Sequence, residues 1–387
     1  MIQIKDSVFY IGVDDHDITL FESQYPVPQG VSYNSYFIDD KKLAVIDSVD
    51  ASKAPLWLDN VGKALHGRQP DYLVVHHLEP DHSGSIEAFI EKYPAAQIVL
   101  GTKAAAMFPQ FLTGGQAVSM VKIGEGDTLE LGHHSLKFFF APMVHWPEVM
   151  VSFEQSTGIL FSADAFGRFG ALSECGFRAS EYTDWASQAR RYYYNIVGKY
   201  GGPVSALLTK LAALPASMIL PLHGPVIDAN LGEYLSLYGK WCKYEPEVDG
   251  VMIACASMHG GTMDAARKLA SMLESKGRKV IVRDLCRDDM SECLSDAFMY
   301  CEAVFAACTY DGGLFTPMLN FMHRIQAKGY CNRRVGIIEN GSWAPVAGRI
   351  MKEKLSEMKG LEIVEPVVTI RSRIKDLSSL EQLAENL

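Results

Sequence analysis

The feature that most constrains the fold is a regular alternation that runs from Val251 to the end of the chain. Short apolar runs rich in β-branched residues alternate there with amphipathic segments of helical length. Parallel strands need such crossover helices, so the alternation predicts a doubly wound parallel sheet. The predicted strands are 251–256, 279–285, 303–308, 334–339 and 362–368, and the predicted helices begin near Thr262, Asp289, Thr316, Ala344 and Ile374.

The first half of the chain has a different pattern, typical of a mixed α/β domain. Short strand-like runs at 7–13, 32–38 and 42–48 precede further strands, which mix with helices near 53–65 and 83–92. The segment 241–250 is polar, acidic and interrupted by proline, as expected of a connector. We therefore predict two domains, 1–248 and 249–387.

Charge and hydropathy exclude several classes of partner. The formal net charge of −10 disfavours nucleic acid and anionic lipid surfaces. No apolar run approaches the roughly 20 residues that span a bilayer, and acidic residues near the start leave no signal-like apolar segment. The eight cysteines contain no Cys-x-x-Cys pair, which indicates packed, reduced thiols. We expect a cytoplasmic protein that binds neither nucleic acid nor membrane.

The strongest chemical signal follows the apolar run at 72–75. Residues 76–84 read His-His-Leu-Glu-Pro-Asp-His-Ser-Gly and place several potential metal ligands in one loop. Further candidates each follow an apolar stretch and precede a proline or glycine turn. Taken singly, each could be a packed or capping group, and Asp81 could cap a helix beginning near Ser83. Together they supply enough ligands for two adjacent ions. The candidate ligands are His77, Glu79, Asp81, His82, His145, Asp164 and His223.

A second candidate site lies in three loops that follow strands of the predicted parallel sheet. The first combines hydroxyls, glycines and a helix N-terminus, a phosphate cradle that needs no lysine or arginine. The other two carry Tyr310 and Trp343, which could stack on a flavin ring, and glycines that let backbone amides approach it. Walker and dinucleotide glycine patterns are missing, so we predict a flavin mononucleotide (FMN). The predicted cofactor residues are Ser257, Met258, His259, Gly260, Gly261, Thr262, Thr309, Tyr310, Asp311, Gly312, Gly313, Asn340, Gly341, Ser342 and Trp343.

The metal motif resembles that of the metallo-β-lactamase fold, His-x-His-x-Asp-His, except that Glu79 replaces the second histidine. An added carboxylate favours iron over zinc. Within that superfamily, His-x-Glu-x-Asp-His belongs to the flavodiiron proteins (A-type flavoproteins), and the whole chain resembles their simplest class, which lacks a fused rubredoxin domain. The resemblance implies an α/β protein with a metallo-β-lactamase-like αββα domain followed by a flavodoxin-like domain.

The resemblance also implies an activity, which is reduction of dioxygen to water, of nitric oxide to nitrous oxide, or of both. Electrons would pass from an external donor, a rubredoxin or a reduced deazaflavin, through FMN to two irons, within a head-to-tail homodimer. Tyr193 is a candidate hydrogen-bond donor to bound substrate. By motif, His77, Glu79 and His145 would hold one iron, Asp81, His82 and His223 the other, and Asp164 would bridge them.

Two other functions remain open from the residues alone. The first is a zinc hydrolase with an attached flavodoxin-like domain, in which a metal-bound hydroxide attacks an ester or thioester. The second is an electron carrier that uses FMN alone, which would leave seven potential ligands without a role. Metal analysis distinguishes the three hypotheses. The flavodiiron protein requires two irons per chain, the hydrolase two zincs, and the electron carrier no metal.

Overall fold

The computed structural model describes residues 1–114, 118–181 and 184–387. It divides into two compact units, Met1–Gly239 and Lys240–Leu387. The domain boundary predicted near Val248 lies within the second unit and stays a prediction.

The first unit is built on two sheets that pack face to face. The seven-stranded sheet has the order β1-β2-β7-β8-β9-β10-β11, and the five-stranded sheet has the order β12-β13-β14-β15-β16. Its strands are β1 Ile2–Lys5, β2 Val8–Tyr10, β3 Val13–Asp15, β4 Leu20–Phe21, β5 Tyr25–Pro26, β6 Val31–Tyr33, β7 Tyr36–Ile38, β8 Ala44–Ile46, β9 Tyr72–Val75, β10 Gln97–Gly101, β11 Met120–Ile123, β12 Thr128–Glu130, β13 Ser135–Phe140, β14 Met150–Glu154, β15 Ile159–Phe161 and β16 Met218–Leu220. Its helices are α1 Ala54–Leu65, α2 Pro80–Ser83, α3 Ile86–Lys92, α4 Thr102–Met107, α5 Leu172–Cys175, α6 Ala186–Tyr192, α7 Gly201–Leu211 and α8 Leu231–Trp241, which ends just past the division.

Strand β9 shows how the sheets position the site. Its side chains alternate between the two faces, so Val74 lies in the core between the sheets, whereas Leu73 packs in the core that includes the helix residues Trp57 and Phe89. Both faces of β9 are buried, which explains its continuous apolar sequence. The ligand-bearing loop begins directly after this strand.

The second unit is a parallel sheet with the order β18-β17-β19-β21-β22, and the short β20 pairs antiparallel with β19. This is the flavodoxin-like order, so the predicted doubly wound fold is confirmed. Its strands are β17 Val248–Ala256, β18 Lys279–Asp284, β19 Tyr300–Tyr310, β20 Gly313–Leu314, β21 Arg334–Asn340 and β22 Glu362–Ile370. Its helices are α9 Gly261–Ser275, α10 Met290–Met299, α11 Thr316–Ala327, α12 Ala347–Ser356 and α13 Ser378–Asn386.

Two details of the sequence prediction were wrong. The segment 241–250 is not a connector throughout, because Trp241 ends α8 and is fully buried, and β17 already begins at Val248. The helix predicted at 83–92 is two helices, the first of which begins at Pro80. Proline is favoured in a first helical turn, and Asp81 therefore lies inside that turn rather than capping a later helix.

Candidate metal centre and flavin cavity

The seven predicted metal ligands converge at one place in the first unit. They form two groups, and within each group one nitrogen or oxygen per residue lies within 4.8 Å of all the others. The first group is His77, Glu79, His145 and Asp164, and the second is Asp81, His82 and His223.

Asp164 stands between the two groups and offers one carboxylate oxygen to each. Its Oδ2 lies 3.1 Å from Nε2 of His145 and 3.5 Å from Nε2 of His77. Its Oδ1 lies 3.1 Å from Nε2 of His82 and 3.7 Å from Nε2 of His223. A buried carboxylate in this position can bridge two metal ions.

The second group contains buried polar atoms that suit a metal ion. Within the described residues, Nε2 of His82, Nε2 of His223 and one oxygen each of Asp81 and Asp164 are buried without a hydrogen bond. Native proteins rarely leave such atoms unsatisfied, and four in one small volume are donors of the kind a cation requires. With four imidazoles and three carboxylates, the two groups therefore fit two non-haem iron ions.

Two of the imidazoles are oriented by hydrogen bonds on the side of the ring that faces away from the cluster. Nδ1 of His77 lies 2.8 Å from Oε1 of Glu148, which also accepts a hydrogen bond from the backbone N–H of Leu78. Nδ1 of His223 lies 2.8 Å from the carbonyl oxygen of Ser32. Both rings thus direct Nε2 at the cluster, as metal-binding histidines commonly do. Sequence reasoning missed Glu148, although it follows His145 by three positions in the same motif.

The imidazoles and carboxylates of the first group stabilise one another's charged forms. Burial disfavours a charged His77, but hydrogen bonds to Glu148 and Glu79 outweigh it and raise the pKa of His77 well above its usual value. Burial likewise opposes charge on Glu79, yet hydrogen bonds from His145 and His77 lower its pKa to about 2. The pKa of His145 is raised to about 9 against the effect of burial, by hydrogen bonds to Asp164 and Glu79. Metal ions must therefore displace ring protons to bind here.

Aromatic rings enclose the second group. The ring of Phe21 lies edge-on to His223 at 5.3 Å between centroids, and those of Tyr192 and Tyr33 lie at 5.5 and 6.0 Å. The hydroxyl of Tyr192 is buried without a hydrogen bond in the described residues, and burial, with the charges of Asp164 and Asp81, raises its pKa well above the usual value. Sequence reasoning selected the next residue, Tyr193, whose ring packs against Tyr194 and Tyr238.

The second unit contains a cavity of about 460 Å³ at the carboxyl ends of its parallel strands. Tyr310 packs its ring against Phe315, and Tyr310, Gly260 and Gly313 do not line the cavity. Three further residues, Cys308, Ser372 and Arg373, line it without having been predicted. The predicted residues in the lining are Ser257, Met258, His259, Gly261, Thr262, Thr309, Asp311, Gly312, Asn340, Gly341, Ser342 and Trp343.

The loop before α9 is held in a tight turn beside the cavity. Ser257 Oγ accepts hydrogen bonds from the backbone N–H groups of Gly260 and Met263, at 3.1 and 3.3 Å. Gly260 has φ +85°, a conformation that favours glycine, and a Cβ on Gly261 would clash with the carbonyl oxygen of Ser372. Trp343, 77% exposed, is available to cover a planar ring at the mouth. The cavity therefore fits a mononucleotide with a flat apolar end.

The sequence of the first unit matches a known family. The family described as ODP family beta lactamase matches residues 31–224, half of the chain, and this range contains all seven candidate ligands. The chain belongs to the ODP β-lactamase family. Membership of this ODP family confirms the metallo-β-lactamase-like fold of the first unit.

Other known proteins are similar to this chain over both of its units. The solved rubredoxin oxygen:oxidoreductase from Desulfovibrio gigas has a TM-score of 0.91 and 25% identity, covering 99% of this chain and 96% of that one. The flavodiiron protein from Giardia intestinalis has the same fold, with a TM-score of 0.91, 23% identity and coverage of 100% and 94%. The anaerobic nitric oxide reductase flavorubredoxin of Aliivibrio fischeri is 27% identical over 354 residues, or 88% of this chain and 70% of that protein. The predicted likeness to flavodiiron proteins is thereby confirmed, and the relatives support an oxidoreductase.

Among the described residues, no helix combines the length and the apolar character that crossing a membrane requires.

Proposed function

We propose that this chain is a flavodiiron oxidoreductase that reduces dioxygen to water, nitric oxide to nitrous oxide, or both. The observation that carries the proposal is the position of Asp164, with one oxygen facing each of two histidine-containing groups. One dioxygen needs four electrons and four protons to give two waters. Two nitric oxide molecules need two electrons and two protons to give nitrous oxide and one water.

Two iron ions are assigned to the two groups. His77, Glu79 and His145 would hold one ion, and Asp81, His82 and His223 would hold the other. Asp164 would be shared between them. Glu79 supports iron over zinc because an anionic oxygen ligand stabilises the higher oxidation state. Two irons held there would supply redox chemistry for a shared substrate, with electrons drawn from FMN.

The protein's own groups orient the ligands and limit access of water. Glu148 holds the ring of His77 by its Nδ1, and the carbonyl of Ser32 does the same for His223. The rings of Phe21 and Tyr192 cover His223. The ring of Tyr192 lies 5.5 Å from that of His223, which supports Tyr192 as the hydrogen-bond donor to substrate, a role for which the sequence made Tyr193 the candidate.

The cavity of the second unit is proposed as the FMN site. Its glycine loop and the N-terminus of α9 would hold the phosphate, and the cavity residues within 309–312 and 340–343 would hold the ring. Electrons come from a separate donor, a rubredoxin or a reduced deazaflavin. We further propose a cytoplasmic, head-to-tail homodimer that brings the FMN of one subunit to the irons of its partner, to be tested by sedimentation of the holoprotein.

Relatives carry names for both reactions. The Desulfovibrio gigas structure is named for oxygen, and the Aliivibrio fischeri protein for nitric oxide. Steady-state rates with each substrate, using one reduced donor at matched concentrations, decide which reaction this chain performs faster.

The experiment that tests the proposal is metal and flavin analysis of protein produced with iron in excess. We expect about two irons per chain and FMN that is released on denaturation. Stoichiometric zinc without iron or flavin would overturn the proposal and favour the hydrolase, which the relatives' names do not support. FMN without metal would favour the simple electron carrier.

A further inference from the structure

An arginine lines the cavity that the sequence predicted to bind phosphate without lysine or arginine. Arg373 follows the end of β22 by three positions and borders the same cavity as Gly261 and Thr262 at the start of α9. The inference below rests on the proposed FMN site and concerns which part of FMN this residue recognises.

The residue before Arg373 is fixed against the phosphate loop. The backbone N–H of Ser372 donates to Oδ1 of Asn340 at 2.9 Å, and its carbonyl accepts from Nδ2 of Asn340 at 3.1 Å. Asn340 Nδ2 also lies 3.3 Å from Oγ1 of Thr262. The carbonyl of Ser372 approaches Gly261 so closely that a Cβ there would clash with it. Arg373 therefore leaves the backbone directly beside the N-terminal turn of α9.

The side chain of Arg373 has no anionic partner of its own. It is exposed, and within the described residues it makes no ion pair and no side-chain hydrogen bond; only its backbone N–H bonds to the carbonyl of Arg371. The side-chain hydroxyls of Ser257 and Thr262, at this end of the cavity, already have hydrogen-bonding partners within the protein. Ser257 Oγ accepts two backbone N–H groups, and Thr262 Oγ1 contacts Asn340.

A phosphate monoester carries close to two negative charges at neutral pH, more than a helix N-terminus alone balances. A guanidinium donates paired hydrogen bonds to phosphate oxygens and remains charged at every physiological pH. We infer that Arg373 binds the phosphate of the flavin mononucleotide and makes the site select FMN over riboflavin, which has the same ring and ribityl chain without the phosphate.

The test compares both flavins on the full-length chain. Flavin-free protein is titrated with FMN and with riboflavin, and binding is followed by the quenching of flavin fluorescence at low salt. Arg373→Ala should weaken FMN binding about 10- to 100-fold, the range for a lost charged hydrogen bond, and leave riboflavin binding unchanged. The FMN affinity of Arg373→Lys should lie between those of the wild type and Arg373→Ala. FMN binding by Arg373→Ala should depend less on salt than that of the wild type.

Arg371→Ala is the matched control, because Arg371 is also exposed and lies two positions away but does not line the cavity. It should bind both flavins like the wild type, and circular dichroism should show all variants folded. An unchanged FMN-to-riboflavin preference in Arg373→Ala, or an equal loss of both ligands, would overturn the inference. Failure of the wild type to bind either flavin would instead overturn the proposed FMN site, and this inference with it.

Discussion

The candidate metal ligands and the groups that orient them differ in how readily the sequence reveals them. His77, Glu79 and Asp81 occur at alternate positions of one loop, so their spacing alone indicates a metal site. Glu148 and Ser32 contact candidate ligands 71 and 191 residues away. Glu148 lies in the motif of His145, but the sequence does not show that its partner is His77. Only the fold brings them together.

Glu148→Gln tests the orientation of His77. The variant loses the carboxylate that holds Nδ1 of His77. Mutation of such a hydrogen-bond partner of a ligand typically lowers metal affinity 10- to 100-fold. We expect a loss of that size for the site containing His77, measured by competition between the protein and a chelator for Co²⁺. Glu125→Gln, which changes an exposed glutamate in the same unit, serves as the control. Metal affinity equal to that of the wild type would show that Glu148 does not orient the ligand.

Tyr192→Phe and Tyr193→Phe form a matched pair at adjacent positions. Tyr192 faces His223, so removal of its hydroxyl should lower turnover by about 10-fold or more while iron and FMN contents stay the same. Tyr193→Phe should keep most of its activity, because the Tyr193 ring packs against Tyr194 and Tyr238. A larger loss of turnover in Tyr193→Phe than in Tyr192→Phe would show that Tyr193 is the hydrogen-bond donor, as the sequence predicted.

At the scale of the element, periodicity predicted strands better than it predicted helix starts. Every predicted strand of the second unit is present, because buried parallel strands have continuous apolar sequences. The last two helices begin at Ala347 and Ser378, some residues later than predicted. Ala344 precedes Pro345, which disfavours a helical conformation at that residue. The carboxylate of Asp376 accepts hydrogen bonds from the backbone N–H and the hydroxyl of Ser378, at the start of the last helix. Contacts between elements distant in sequence could not be predicted.

One such contact joins the turn between β1 and β2 to the end of β14. His134 is fully buried, with Nε2 2.7 Å from Oγ of Ser7 and Nδ1 3.1 Å from Oε1 of Glu154. The hydrogen bond to Glu154 is the main cause that raises the pKa of His134 above its usual value. A raised pKa in the folded state means that the stabilisation is complete below about pH 6.5 and is lost as the pH rises through the folded-state pKa.

His134→Gln tests this contact. We expect it to lower the free energy of unfolding by about 2 kcal/mol at pH 6, and the difference from the wild type should shrink as the pH rises to 9. Urea unfolding at several pH values, with both proteins in the same metal state, measures the difference. His133→Gln, at the exposed neighbouring position, should show no such trend. A difference that does not change between pH 6 and 9 would contradict the assigned ion pair.

At the scale of the whole molecule, the sequence predicted two differently built halves and assigned each site to one of them. The seven candidate metal ligands lie in Met1–Gly239 and the cavity proposed for FMN lies in Lys240–Leu387. The order of strands in a sheet is not encoded by local pattern, so the parallel sheet was predicted as a class and its order β18-β17-β19-β21-β22 came from the structure.

Division of the chain between Gly239 and Lys240 should give two pieces with segregated cofactors. The piece 240–387 keeps the buried Trp241 and its hydrogen bond to Glu247, and we expect it to fold and bind FMN as the full chain does. The piece 1–239 should retain two metal ions. Circular dichroism and flavin titration measure the outcome, and a folded 240–387 that binds no FMN would show that the cavity residues are wrongly assigned.

The proposed reduction of substrate at two irons that share Asp164 is tested by product analysis of Asp164→Ala. With a reduced donor, the wild type should convert dioxygen to water or nitric oxide to nitrous oxide. Asp164→Ala should keep FMN bound and reducible but lose most of this turnover, and its remaining oxygen uptake should appear as the hydrogen peroxide that reduced flavin produces. Asp164→Asn, which keeps the shape and loses the charge, should behave similarly. Wild-type rates of water or nitrous oxide formation by Asp164→Ala would contradict the dinuclear mechanism.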